Sequence, residues 1–409
     1  MNKQTINKIV PKLRFPEFRD TEAWKKKQLK NVCQMHAGKF VSASEISENK
    51  KDDLFPCYGG NGLRGYTKSN THTGKYSLIG RQGALCGNIT FATDKFHATE
   101  HAVVVTPKVD VDTDWLFYML INLNLNQYAT GQAQPGLSVE NLEKVDISIP
   151  GKEKEQQKIA TCLSSIDELI IAQSQKLDTL KVHKKGLMQQ LFPAEDDAFT
   201  GSARVPKLRF AEFRDDGEWE EKQLGNLGEF TGGGTPSKAN DSFWKGSIPW
   251  VSSSDIFEDS IHQIKISRFI TEEALKDSAT KLVPENSILI VSRVGVGKLA
   301  ITKQPVCTSQ DFTNFTPDID NLMFLAYILK SHSKTLLKYS QGMAIKGFTK
   351  DDISKLNLFI PHLPEQQKIA DCLSSLDELI AAQSQKLDAL KTHKKGLMQG
   401  LFPGIMERG

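Results

Sequence analysis

Residues 155–193, EQQKIATCLSSIDELIIAQSQKLDTLKVHKKGLMQQLFP, return at 365–403 as EQQKIADCLSSLDELIAAQSQKLDALKTHKKGLMQGLFP, identical at 33 of 39 positions. Within the first copy Ile159, Leu163, Ile166, Ile170, Leu177, Leu180, Leu187 and Leu191 follow alternating spacings of four and three, the rhythm of an apolar seam between paired helices. The second copy repeats it with Ile369, Leu373, Leu376, Ile380, Leu387, Leu390, Leu397 and Leu401. Only Gln173 and Lys184 interrupt the seam, and they recur as Gln383 and Lys394. At 1.5 Å per residue, about 38 residues make a helix of roughly 57 Å, wasteful unless its stripe meets another helix. The obvious mate is the other copy, and the two pair antiparallel if each follows a globular domain at opposite ends of the rod. A polar seam residue such as Gln173 fixes the register. The basic run His183, Lys184 and Lys185 suits either the negative end of the helix dipole or a solvated last turn. Gly186 and Gly396 predict a bend or an early helix end.

A second repeat lies upstream. Residues 10–31, VPKLRFPEFRDTEAWKKKQLKN, return at 205–226 as VPKLRFAEFRDDGEWEEKQLGN, with 15 of 22 positions identical. The chain is therefore a duplicated unit. The expected division is a first domain 1–150, a long helix 151–192, an exposed linker 193–204, a second domain 205–361, a second long helix 362–403 and a tail 404–409. Between the repeats, 32–150 and 227–361 are nearly unrelated apart from a shared tail, GQAQPGLSVENLEKVDISIP and GMAIKGFTKDDISKLNLFIP. A constant frame around a variable insert fits two halves that do one mechanical job while recognising different things. Neutral drift would not spare the flanks so sharply.

Composition narrows the class. A chain of 409 residues allows two or three domains at roughly 150 residues each. Charged residues at 25% and hydrophobic ones at 39% are those of an ordinary soluble protein. The balance of 52 Lys and Arg against 49 Asp and Glu, net +3, leaves any nucleic-acid role to local patches. The start MNKQTINKIVPKLRF has no signal-peptide core, and no apolar window approaches the roughly 18 residues of a membrane span, so a cytoplasmic location without membrane contact is expected. The six cysteines, at 33, 57, 86, 162, 307 and 372, show neither disulfide nor zinc spacing and read as reduced thiols.

Both variable segments run through a Gly-rich opening, an apolar strand with an Arg-x-Gly turn (Arg81-Gln82-Gly83; Arg293-Val294-Gly295), another strand and an apolar helix. They are expected to be the same mixed α/β domain, giving an α+β chain. Catalytic motifs fail. A phosphate loop ending at Gly297-Lys298 has Ser292 where its first Gly belongs and Leu299 where its hydroxyl belongs. Gly295 to Ala300 imitates a dinucleotide fingerprint but lies between strands. No catalytic triad, carboxylate pair or metal cluster stands out.

Binding chemistry is better represented. Tyr58, Asn61, Arg64, Tyr66 and Lys68, with Arg81 and Asn88, mix the amide, guanidinium, aromatic and ammonium groups that read base edges and grip phosphates. The second copy offers Thr235, Ser237, Lys238, Trp244, Ser252, Ser253, Arg293, Lys298, Gln310 and Lys346. Each residue alone also fits a turn, a solvated charge or a core position; the arrangement as a whole points to binding.

At this point the chain resembles the DNA-specificity (S) subunits of type I restriction-modification systems over nearly its whole length. The resemblance is carried by YGGNGLRGYT and LIGRQGALCGN in the first copy, by GGGTPSKANDSFWKGSIPWVSSSDI, SRVGVGKLAI and TSQDF in the second, and by PEQQKIADCLSSLDELI with its twin. One departure is local: Pro364 precedes EQQKIA in the second copy where Lys154 stands in the first. The resemblance implies two target recognition domains, each reading one half of a bipartite asymmetric double-stranded DNA target, held apart by an antiparallel coiled coil. It implies a noncatalytic chain with no bound cofactor. Two modification (methyltransferase) subunits would bind S-adenosylmethionine and methylate adenine N6, and two restriction (helicase-nuclease) subunits would use ATP and Mg. The helices would serve as ruler and docking surface. The alternative from another class is a noncatalytic coiled-coil scaffold whose two domains bind protein or glycan.

Overall fold

The structure, a computed structural model, describes residues 9–83, 85–131, 135–193, 204–339 and 347–403. In the first copy the strands are β1 (Lys25–Gln28), β2 (Cys33–Ala37), β3 (Phe55–Gly59), β4 (Gly62–Thr67), β5 (His72–Thr73), β6 (Tyr76–Gly80), β7 (Ile89–Ala92), β8 (Lys95–Ala98), β9 (Ala102–Pro107) and β10 (Asp146–Ile149). Its helices are α1 (Thr113–Asn122), α2 (Val139–Glu143) and the long α3 (Glu153–Leu191). Two four-stranded sheets form, ordered β2-β9-β6-β7 and β4-β3-β8-β5, with a separate β1-β10 pair. The β3-β8 neighbours run parallel. Strand alternation explains the apolar run at 102–105. Val103 and Val105 of β9 face the core under α1 with Trp115 and Met119, while Val104 faces the other sheet with Phe96 and Ala98. Neither face of that central strand meets water.

The second copy repeats the plan with β11 (Glu220–Gln223), β12 (Gly228–Gly232), β13 (Ile248–Val251), β14 (Arg268–Ile270), β15 (Leu282–Val283), β16 (Ile288–Val291), β17 (Leu299–Ile301), β18 (Val306–Thr308), β19 (Phe312–Pro317) and β20 (Asn357–Ile360). Its helices are α4 (Glu272–Asp277), α5 (Leu322–Ser331), α6 (Ser333–Tyr339), α7 (Lys350–Ser354) and the long α8 (Leu363–Leu401). The sheet orders are β12-β19-β16-β17 and β14-β13-β18-β15, again with one parallel pair, β13-β18. Two segments with little identity thus share one α+β topology. The second is longer because residues 252–267 separate β13 from β14 where the first copy has the two-residue hairpin Gly60-Asn61, and because α4 precedes β15.

Contacts divide the chain into two units, residues 1–175 with 385–409, and residues 176–384. The division cuts both long helices near their middles, so each unit holds one sheet domain, the early turns of the helix that follows it, and the late turns of the other helix. In the first unit Ile159 and Leu163 share a core with Met398, Leu401 and Phe402. In the second, Ile369 and Leu373 share one with Leu191 and Phe192. Early turns meet late turns, so the pairing is antiparallel in both. All twenty seam positions, polar ones included, are buried or half-buried.

The sequence predicted a bend or end at Gly186 and Gly396, but both helices continue unbroken to Leu191 and Leu401. A helical glycine costs about 1 kcal/mol, less than the burial of the seam residues beyond it supplies. The basic run also departs from its two expected roles, because Lys184 turns into an ion pair with Asp377. Expected linker residues 194–203 and tail residues 404–409 lie outside the described residues.

The leader repeat persists because it touches the helix repeat. Arg14 places Nε and Nη2 each 2.8 Å from the carboxylate of Glu155, which also accepts from Trp24 Nε1 at 3.1 Å. Arg209 grips Glu365 in the same two-pronged way at 2.8 and 2.7 Å. The shared Leu-Phe-Pro endings have a matching reason. Phe402 sits among Trp24 and Trp115, with ring centroids 6.4 Å from each, and Phe192 packs on Phe324 at 5.7 Å. All six cysteines are free thiols, and burial pushes that of Cys33 up to about 12. Among the described residues no helix is long and apolar enough to cross a membrane.

Candidate nucleic-acid interface

In the first unit four loops converge at one end of the sheets. The β3-β4 hairpin crosses the start of the β6-β7 hairpin so closely that a Cβ on Gly80 would fall 1.9 Å from Gly60 O, which only glycine permits. Asn88 Nδ2 donates to Asn61 Oδ1 at 3.1 Å across this junction. The β8-β9 turn joins from a third side, Thr99 N–H donating to Tyr58 O and Arg81 N–H to His101 O, both at 2.9 Å. The shared tail closes the cluster, Leu137 N–H donating to Arg81 O at 2.8 Å and Gly83 N–H to Pro135 O at 3.0 Å.

Asn61, Arg64 and Asn88 are exposed there, and Arg81 is half-buried. Tyr58 plays a more structural part, its ring edge-on to Phe96 at 5.8 Å and its hydroxyl pKa pushed up by burial. Tyr66 lies further along β4, paired through its backbone with Ser47, and Lys68 follows the strand's end. Neither shares the hairpin tip with Asn61.

The second unit builds the equivalent end from different side chains. Thr235 Oγ1 donates to Gln310 Oε1, joining the turn after β12 to the β18-β19 turn. Trp244 Nε1 donates to Ser237 O at 3.2 Å. Ser252 caps a single helical turn, its N–H and hydroxyl each 2.8 Å from Asp255 Oδ2, and its hydroxyl 2.9 Å from that of Ser254. Ser253 is buried, so it supports the loop rather than presenting itself. Arg268 completes the cluster by binding both Asp255 and the Ser252 hydroxyl, with its guanidinium 4.6 Å over the Trp250 ring. Arg293 is exposed and Lys298 half-buried; Lys346 lies outside the described residues.

The two Arg-x-Gly turns are not equivalent. Arg81 N–H donates to His101 O as Ser292 N–H donates to Asp311 O, and the preceding pairs Gly80↔Ala102 and Val291↔Phe312 agree. Gln82, not Arg81, therefore occupies the place of Arg293. The shift leaves Val294 at φ +35 where the first copy has Gly83 at +86, so a β-branched residue carries backbone strain at an exposed tip.

Structure-based equivalence also reveals residues that the sequence reading passed over. Gly38 and Gly233 both press against the β8-β9 or β18-β19 turn, so Lys39, Phe40 and Ser42 stand where Gly234, Thr235 and Ser237 stand in the other copy. The signal was the Gly shared by GKFVS and GGTPS, hidden by the dissimilar residues after it. Arg268 gave no signal, being the first residue of a short strand. Among the described residues Lys39, Arg64, Lys68, Arg81, Lys238 and Arg293 have no carboxylate at ion-pair distance, whereas Arg14, Lys184, Arg209 and Lys394 each do. Six of the loop cations are thus left unpaired, while Arg268 is neutralised by Asp255 and four cations of the frame are held in ion pairs.

The frame is clamped to each domain by a matched trio. In the first unit Tyr118 donates to Asp167 at 2.8 Å, and Lys394 reaches the same carboxylate at 2.6 Å. In the second, Tyr327 donates to Asp377 at 2.6 Å, and Lys184 reaches it at 2.5 Å. Both tyrosine pKa values are pushed up, by burial first and by the carboxylate second, so the hydroxyls remain donors. The seam exceptions Lys184 and Lys394 are thus the residues that join helix to helix and helix to domain.

A sheet domain with a cluster of polar loops at one end thus occurs twice in the chain, each copy followed by a long helix. The chain belongs to the family of the type I restriction modification DNA specificity domain, whose model matches residues 21–182 and 216–392. It is 47% identical over 146 residues to the type I restriction enzyme EcoprrI specificity subunit of Escherichia coli, a match covering 36% of each chain. It is 31% identical over 189 residues to the MjaIX specificity subunit of Methanocaldococcus jannaschii, covering 45% of this chain and 44% of that one. Each match thus spans less than half of the relative's length. The crystal structure of a type I restriction-modification system S subunit from M. genitalium has the same fold, with a TM-score of 0.67 at 16% identity over 97% of this chain and 100% of that one.

Proposed function

We propose that this chain gives a type I restriction-modification enzyme its DNA-sequence specificity, each domain reading one half of a bipartite, asymmetric target. The observation that carries this is the contrast within the duplication. Frame residues repeat almost unchanged, while the loop ends of two topologically identical domains present different polar groups beside unpaired cations. Base edges are discriminated by such side chains and phosphates are held by such cations. The antiparallel helices set the unspecified spacer between half-sites.

The helices also dock the modification subunits. Leu169, Ile171 and Leu379 stay more than half exposed on α3 and α8 away from the seam, where a partner would cover them. Two such subunits bring S-adenosylmethionine and methylate adenine N6, and restriction subunits bring ATP and Mg; this chain binds none of these and catalyses nothing. The partner's target base leaves the stack, so the recognition domains hold the duplex while the partner acts. With a net charge of only +3, the chain alone binds DNA weakly, and the partners supply much of the phosphate attraction.

Co-expression with an adenine methyltransferase encoded beside it, followed by single-molecule methylome sequencing, tests the proposal. A split motif with an unspecified gap, methylated only when this chain is present, is the expected result. Co-purification of a methyltransferase without any such motif, or methylation of a continuous site, would overturn it.

A further inference from the structure

We infer that Phe40 is an aromatic wedge that stacks on a base, or enters a base step, of the half-site read by the first domain. This rests on the DNA-recognition function proposed above. Phe40 is 75% exposed, and among the described residues no other ring contacts it. It is nevertheless held on a rigid turn. Gly38 N–H donates to Ala102 O at 2.9 Å and Lys39 N–H to Ala98 O at 2.8 Å. Lys39 O lies 3.0 Å from Nε2 of the buried His97, whose Nδ1 lies 2.9 Å from the Ser69 hydroxyl. A carbonyl can only accept, so His97 carries its proton on Nε2 and ties the Lys39 turn to the Lys68-Ser69 segment. Val41, next in the chain, is buried and anchors the far side of the turn.

A large ring three-quarters exposed on a pinned backbone buries little apolar surface for the fold. Lys39 and Lys68 are linked through this histidine bridge and have no carboxylate partners among the described residues. An exposed ring next in the chain to one unpaired lysine, on a turn tied to the segment that carries a second, fits a base stack bordered by phosphates. Apolar side chains that enter a step beside cations unstack and kink the duplex. The equivalent place in the second domain is Thr235, whose hydroxyl is spent on Gln310, so unstacking is confined to one half-site.

The test uses the full chain in complex with its modification subunits and duplexes carrying 2-aminopurine at successive positions of the first half-site. Wild type should raise fluorescence at one position besides the adenine that the modification subunit takes out of the stack. Phe40→Ala should abolish that rise and weaken binding about ten-fold or more, the loss of one stacked base, while Phe40→Trp retains both. Thermal melting of Phe40→Ala should match wild type because the ring is exposed. Unchanged fluorescence and affinity in Phe40→Ala overturn the assignment. So does a Phe40→Ala chain that loses its modification subunits while any DNA it still binds is unstacked as before, since the ring would then face protein. A wild-type complex that binds no duplex bearing its own methylated site overturns the DNA-recognition function and the wedge with it.

Discussion

Lys184 Nζ lies 2.5 Å from Asp377 Oδ1, and both side chains are 13% exposed. The pair joins the late turns of α3 to the early turns of α8, and Tyr327 and His262 share its carboxylate. Burial pushes the Asp377 pKa up, but hydrogen bonds from His262, Lys184 and Tyr327 together hold it below the ordinary carboxylate value. A carboxyl whose folded pKa is depressed contributes stability that is complete above its unfolded pKa of about 4 and lost as pH falls through the lower folded value. Lys184→Met leaves the buried carboxylate short of its cation and should cost about 1–3 kcal/mol in denaturant unfolding at neutral pH. Asp377→Asn should flatten the part of the stability profile below about pH 4. An acid limb with unchanged slope in Asp377→Asn would show that the clamp does not hold the helices.

Gly186 and Gly396 lie inside unbroken helices, and a Cβ on either would meet nothing within 4 Å. Alanine at each should stabilise the chain by about 0.5–1 kcal/mol, through helix propensity alone. For units of roughly 200 residues that is a rise of a few degrees in Tm, read by calorimetry. A fall in Tm on either substitution would mean that a partner surface or a helix bend needs the glycine.

Arg268 acts through its neighbours. By holding Asp255 and Ser252 it fixes the loop that presents Ser254, while stacking on Trp250. Arg268→Ala should relax discrimination in the second half-site about ten-fold, within the 1–3 kcal/mol that a good base contact supplies, and leave the first half-site unaffected. Methylation rates on single-mismatch duplexes separate this from simple destabilisation, which lowers activity equally on all sites. Arg268→Lys, which keeps the charge but loses the fork, should behave like the alanine variant.

The frame was legible in the sequence because repetition and heptad spacing both constrain it. Ile159 to Leu191 and Ile369 to Leu401 form one buried stripe on each helix. The reasons for its exceptions were not legible. Lys184 and Lys394 interrupt the seam because Asp377 and Asp167, each about two helical turns past the start of its own helix seam, approach them from the other strand of the pair. The like topology of the two domains could be read from the order of their apolar runs, but not their register. Arg81 and Arg293 look equivalent in one dimension, and the one-residue offset shows in the hydrogen bonds to His101 and Asp311 and in the strand pairs beside them. Phe40 was missed because exposure is a property of the folded surface, and a lone Phe between Lys39 and Val41 reads as core.

The central claim is that each domain reads its own half-site. Residues 32–150 exchanged for the corresponding segment of another member of the family, with both long helices untouched, test it most directly through the methylome of cells carrying the chimera and its modification subunits. The account predicts that one half-site changes while the other half-site and the gap between them stay as they were. A chimera that alters both half-sites, or alters the gap with the half-sites intact, would contradict it.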